Sequence, residues 1–160
     1  MNTKAISPVI ATVIIVSVAI AIAVAVAFWM TGITGLFTRY EKLEVVNAYA
    51  IANESTGHFY IILTVKNTGS SDATIDEIFI NGKPLSVVGA VVTTNETAAT
   101  NPGNVTDWIS TISQSLASGD ELKLVIDLGT IGSTFKHGQI VEVKIHTVAG
   151  NEYPRSVQLP

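Results

Sequence analysis

Between Lys4 and Arg39, from Ala5 to Thr38, the chain carries no ionisable side chain. About 20 apolar residues suffice to cross the hydrocarbon of a bilayer, so this run is long enough to span one with length left over. Its local pattern conflicts with that reading, because Ala19-Ile20-Ala21-Ile22-Ala23-Val24-Ala25-Val26-Ala27 alternates small and large residues with the period of a strand. A lone strand in lipid would leave its backbone N–H and C=O groups unpaired at several kcal/mol each, and only a helix satisfies them without a closed barrel. The run therefore predicts a helix from Pro8 to about Phe37. At roughly 1.5 Å per residue it would reach about 45 Å against a hydrocarbon core of about 30 Å, so the excess must tilt, emerge or pack elsewhere.

Composition divides the chain at the end of this run. Hydrophobic residues make up 48% of the whole chain, but between Ile6 and Met30 only Ser7, Pro8, Thr12 and Ser17 are not hydrophobic. The remainder holds about 41%, an ordinary globular value. From Arg39 onward there are 8 basic and 13 acidic residues, within a net charge of −4 for the whole chain. Such a surface repels anionic polymers and does not point to nucleic-acid binding. With zero cysteines the chain has no disulfide, no thiolate nucleophile and no cysteine-ligated metal.

On a helix Ala19, Ala23 and Ala27 fall on one stripe and Ala21 and Ala25 on its neighbour. These small-xxx-small spacings let helix backbones approach closely. Two readings stay open, a lipid-facing monomeric anchor and a self-packing helix. Gly32 and Gly35 each weaken a helix by about 1 kcal/mol and suggest a flexible neck before the ectodomain. Processing is also open at this level. A secretory signal would use Ala25-Val26-Ala27 as an A-x-A-like site, although the apolar core before it is longer than the usual span of roughly 7–15 residues. An uncleaved anchor is the other reading, and charge does not orient it, since Lys4 and the α-amino group face Arg39 and Lys42.

The segment Lys4-Ala5-Ile6-Ser7-Pro8-Val9-Ile10-Ala11-Thr12-Val13-Ile14 resembles the N-terminus of archaeal type IV pilins, within the pilin and archaellin superfamily. There a short basic leader, a class III signal peptide, precedes an "ISPVIATV" opening and a long apolar helix. The likeness is tight as far as about Met30 and architectural beyond it. It implies cleavage by a prepilin peptidase between Ala5 and Ile6, with the helix kept on the mature subunit. Ala5 stands where many leaders have glycine, and Ile10 where bacterial relatives have glutamate. The implied division is a leader at 1–5, a hydrophobic helix serving as membrane anchor and filament core at 6–38, and an extracellular β-domain at 39–160.

From Leu43 the period changes to 2. Phe59, Ile61, Leu63 and Val65 share one face of a half-buried strand, and Leu122 to Leu128 and Val141 to His146 repeat the pattern. Turn signals separate such runs, among them Asn81-Gly82, whose residues tolerate φ > 0 in a two-residue hairpin. Seven strands are expected, at 43–51, 58–66, 73–80, 84–92, 121–128, 140–148 and 152–159. They fit an immunoglobulin-like sandwich, so the fold class is α+β, a long apolar helix followed by an all-β domain.

Residues 93–119 form an excursion too long for a structureless loop. Val105, Ile109, Ile112 and Leu116 recur at helical spacing there, with Thr106 or Asn104 able to cap, which predicts a short helix. Asn95-Glu96-Thr97 and Asn104-Val105-Thr106 are N-glycosylation sequons in the excursion, and Asn53-Glu54-Ser55 is a third in the first interstrand loop. Trp108 is expected to pin the excursion onto the sandwich, and Trp29 and Tyr40 to pack at an interface or neck.

No nucleotide-binding or hydrolase motif occurs, and His58, His137 and His146 are too separated for a local metal site. Asp72, Asp76 and Glu77 lack the spacing of an EF-hand. The sequence thus predicts a non-catalytic chain without cofactor or metal. The resemblance implies a homo-polymer formed by helix packing and delivered from the cytoplasmic membrane to the cell surface. It implies a prepilin peptidase, an assembly ATPase and a membrane platform protein as partners, and adhesion as the purpose. An archaellin of a motility filament, or a single-pass membrane-anchored binding module, are the alternatives.

Overall fold

The computed structural model describes residues 8–37, 39–132 and 134–160. The chain divides into two units, Met1–Arg39 and Tyr40–Pro160. The first carries one helix, α1 (Pro8–Phe37). Backbone satisfaction overrides the strand-like alternation of Ala and Ile or Val. The helix also continues through Gly32 and Gly35, since the two glycines lower its stability without breaking its hydrogen-bond ladder.

The second unit is a two-layer antiparallel sandwich. Its strands are β1 (Leu43–Asn53), β2 (His58–Asn67), β3 (Ala73–Ile80), β4 (Lys83–Pro84), β5 (Val91–Thr93), β6 (Gln114–Leu116), β7 (Glu121–Thr130), β8 (Ile140–Thr147) and β9 (Glu152–Gln158). One sheet has the order β1-β2-β7-β5; the other runs β4-β3-β8-β9, with β6 paired to β3. This is the strand order of an immunoglobulin-like sandwich, in which first, second, fifth and fourth strands form one sheet and third, sixth and seventh the other.

The core lies between the sheets. Phe59, Ile61, Leu63 and Val65 of β2 and Leu124, Ile126 and Leu128 of β7 face Ile75, Ile78 and Ile80 of β3 and Val141, Val143 and Ile145 of β8. Strand β3 breaks the two-residue period, since Ile75 and Ile78 both point inward. A bulge between Ile75 and Glu77 in its pairing with β8 supplies the extra residue that restores the phase. With no disulfide to staple the layers, an asparagine ties one end. Buried Asn67 donates from Nδ2 to Ser71 O and Leu116 O, both at 2.9 Å, and its Oδ1 accepts from Gly69 N at 3.0 Å.

The hairpin at Asn81-Gly82 forms as expected, with φ of 50° and 76° and Ile80 paired to Lys83. The strand expected at 84–92 does not form as one piece. It divides into β4, a one-turn helix α2 (Leu85–Val88) closed by Gly89 at φ 75°, and β5. The reason is topological: β4 belongs to one sheet and β5 to the other, and the chain must turn between them.

The helix expected around Val105 to Leu116 is also absent. The excursion holds two 3-10 turns, Glu96–Ala99 and Pro102–Asn104, followed by extended chain and β6. Its apolar residues serve different surfaces, so helical spacing misleads. Val105 and Trp108 pack with Tyr60, Ile62, Ala98 and Val125 on the outer face of the first sheet. Ile112 and Leu116 instead enter the core between the sheets, and Ile109 pairs with Val92 at the sheet edge. Asn95 caps the first turn by accepting from Thr97 N at 3.0 Å, the role expected of Thr106 or Asn104.

Candidate functional site

Helix α1 is the part of the molecule whose chemistry is unfinished. The most apolar 18-residue window within Pro8–Gly35 has a mean hydropathy of 3.1, and the segment is long and apolar enough to cross a membrane. Nearly all of its side chains are exposed. Val9 is 68% exposed, Val16 56% and Met30 65%, and only Ala11 and Ile33 of residues 8–35 are half-buried. A helix that is apolar all round, with no polar face for water, belongs in lipid or among other apolar helices.

Its hydroxyls support that conclusion. Thr12 Oγ1 donates to Val9 O at 2.8 Å, Ser17 Oγ to Val13 O at 2.7 Å, Thr31 Oγ1 to Ala27 O at 2.8 Å and Thr34 Oγ1 to Met30 O at 2.8 Å. Each hydroxyl folds back onto a carbonyl three or four residues earlier, so none of the four needs an outside partner for its hydrogen bond. Reading the sequence for motifs misses these four residues. Their isolation within an uncharged run is the signal that marks them.

Ala19, Ala21, Ala23, Ala25 and Ala27 all lie on α1 and are exposed. At about 3.6 residues per turn they form two adjacent stripes, flanked by Ile20, Ile22, Val24 and Val26. Trp29 is 68% exposed on the same helix. Ala5 and Ile6, the expected cleavage pair, lie outside the described residues.

The β-domain holds no comparable site among its described residues. Each histidine already has a partner: His58 Nδ1 lies 2.9 Å from Asp127 Oδ2, His146 Nδ1 2.7 Å from Asp76 Oδ1, and His137 Nδ1 2.6 Å from Pro160 O. Asp72 accepts from Ser118 N at 3.3 Å. Among the described residues no three His, Cys, Asp or Glu side chains are placed to hold a metal. Two open grooves indent the surface. One of about 360 Å³ is lined by Ile80, Lys83, Val87 and Phe135; one of about 450 Å³ lies between β1 and β9, lined by Val45, Val46, Tyr153 and Arg155.

The three sequons converge. Asn53 ends β1, while Asn95 and Asn104 bracket the two 3-10 turns, and Gly103 of the second turn packs against Asn53 and Thr56. Asn95 and Asn104 belong to the layer that covers the outer face of the first sheet, and Asn53 belongs to that sheet. Tyr60, at the centre of that layer, is held protonated to higher pH than an ordinary tyrosine. Burial is the main cause and the nearby Asp127 carboxylate adds to it, against the lowering effect of a hydrogen bond with Thr56.

No protein-family model matches the chain, and no curated protein matches it. Among solved structures, 96% of the chain aligns with 98% of the subunit of the Iho670 flagellar-like filament, at 15% identity and a TM-score of 0.37. The chain also aligns over 77% of its length with 92% of an ApaA protein from Bordetella pertussis, at 14% identity and a TM-score of 0.28.

Proposed function

We propose that this chain is the structural subunit of an extracellular type IV pilus-like filament, built by packing of α1 against copies of itself and serving adhesion. The supporting observation is the helix: 30 residues, apolar on every side, exposed, and with its hydroxyls satisfied internally. Such a helix is equally at home in a bilayer and in a bundle of its own kind. Lipid tails and neighbouring helices are both apolar, so transfer between them changes little apolar exposure, and the alanine stripes allow the close approach that favours the bundle. Release into water is another matter. Each Ile or Val buried is worth about 1.5–3 kcal/mol, and the helix carries twelve, so a filament of this kind would be durable.

In this reading the leader at 1–5 is removed by a prepilin peptidase between Ala5 and Ile6, the subunit waits in the cytoplasmic membrane, and a platform protein with its ATPase drives extraction. The domain at 39–160 faces outward on the filament and acts structurally, without catalysis. Mass mapping of the N-terminus in membranes and in sheared surface material tests it. A start at Ile6 in sheared fibres is expected. A start at Phe28 would mean a freely secreted sandwich, and an intact Met1 confined to membranes would mean an anchored module.

A further inference from the structure

We infer that the folded β-domain takes an N-linked glycan at Asn104 and is closed to one at Asn53, although both stand in complete sequons. The inference rests on the proposed function in one respect, that the domain is exposed outside the cell.

The transfer reaction makes one demand on geometry. The Asn Nδ2 attacks the anomeric carbon of a sugar carried on a lipid phosphate or pyrophosphate. An Nδ2–C1 bond forms, the C1–O bond breaks, the electron pair leaves with the phosphate and one amide proton passes to a base of the transferase. Nδ2 must therefore be reachable, with room beside it for a sugar ring, and the hydroxyl two residues later must be presented with it.

Asn53 does not meet that demand. Its Oδ1 accepts from Ser55 N at 3.0 Å and from Thr56 N at 3.3 Å, which fixes the amide plane. Its Nδ2 then faces the backbone of Gly103, so closely that a Cβ added at Gly103 would stand 3.2 Å from Nδ2 and 2.9 Å from Thr56 Cγ2. A sugar ring on that side of Nδ2 would have to displace the Pro102–Asn104 turn, and Asn53 is half-buried where Asn104 is exposed.

Asn104 is the reverse case. It is exposed, and its side chain makes no hydrogen bond among the described residues. Val105 is extended, with φ −99° and ψ 137°, so the side chains at 104 and 106 project to the same side. Thr106 is exposed as well. Asn95 lies between the two, half-buried and engaged as a helix cap through Oδ1.

Site occupancy in the full chain from its own cells, read by mass spectrometry of intact glycopeptides from membranes and from sheared surface material, tests this. Occupancy at Asn104 is expected to exceed that at Asn53 at least tenfold. An unmodified Asn104, or occupancy at Asn53 within tenfold of Asn104, overturns the inference. Electron microscopy of the same sheared material separates the two proposals. Filaments with an unmodified Asn104 overturn the glycan site alone, whereas a modified Asn104 on protein that never leaves the membrane overturns the filament alone.

Discussion

Trp108 stacks on Tyr60 with ring centroids 6.0 Å apart and 28° between the ring planes, and its indole N–H donates to Val105 O at 2.8 Å. One side chain thus joins the excursion to the outer face of β2 and also closes a turn within the excursion. Replacing it should loosen the layer that holds Asn95 and Asn104 and spare the core between the sheets. Trp108→Ala is expected to cost about 3 kcal/mol, at the lower end for loss of a large aromatic because Trp108 is only half-buried. Limited proteolysis of the full chain in detergent should show new cleavage within residues 94–113 and none in β7 or β8. Unchanged protease resistance would show that the excursion is held elsewhere.

Tyr60 gives the domain an alkaline limit. Its pKa is raised above 10.0 in the folded chain, first by burial and then by the Asp127 carboxylate. The folded state therefore keeps a proton that the unfolded state has released. Stability from this group is complete below about pH 10, falls once the unfolded tyrosine ionises, and is lost as pH passes the folded pKa. Tyr60→Phe removes the ionisation and the hydrogen bond with Thr56, so it should be slightly less stable at neutral pH and lose less stability on passing through the tyrosine range. Thermal unfolding at a series of pH values checks this, and parallel curves for the two proteins would assign the alkaline loss to other groups.

Legibility in the sequence follows whether one local rule acts alone. The hairpin at Asn81-Gly82 is readable because two residues with positive φ suffice to define it. Strand β8 is readable because alternation and burial coincide along it; β2 and β7 are legible as strands but not as half-buried ones, because the excursion covers Tyr60, Ile62 and Val125 on their second face. Residues 84–92 are not, because their apolar spacing cannot reveal that β4 and β5 lie in different sheets. The excursion misleads for a related reason: Val105, Ile109, Ile112 and Leu116 share a helical spacing and no common surface. For α1 the period misleads and the lipid argument holds, since hydrogen-bond satisfaction outweighs β-propensity where no water is present. The alanine stripes are legible from spacing. The closing of Asn53 by Gly103 is not, since it is a contact between loops far apart in the chain.

Gly69 is a position where no side chain fits. A Cβ there would lie 2.5 Å from Tyr40 O and 2.6 Å from Lys42 N, and both are backbone atoms with no rotamer to yield. The same segment is bound by Thr68 N and Gly69 N to Lys42 O and by Ser70 N to Tyr40 O. Gly69→Ala must break that set of bonds or strain it, at a cost of about 3 kcal/mol. The melting temperature of the full chain in detergent should fall by several degrees, whereas that of Gly57→Ala, whose added Cβ meets nothing within 4 Å but whose φ is 69°, should fall less. Equal effects would mean that the Tyr40 to Lys42 segment moves freely.

Ala23 is the position from which the proposed helix bundle can be tested most directly. It sits at the middle of the stripe Ala19, Ala23, Ala27, where a small side chain matters only if another helix lies against it. Ala23→Glu places a charge in the apolar middle of α1, a change that membrane helices tolerate poorly, and filaments should disappear. That result alone would not separate failed packing from failed insertion. Ala23→Leu does separate them, because leucine is as apolar as lipid and a good helix former, so insertion is retained while close helix approach is blocked. The expected outcome is normal subunit in membranes with filaments lost or greatly reduced in sheared material, and Ala23→Ser, which keeps the residue small, should still assemble. Abundant filaments from Ala23→Leu would place the packing surface on another stripe of α1, and abundant filaments from Ala23→Glu would refute a packed helical core altogether.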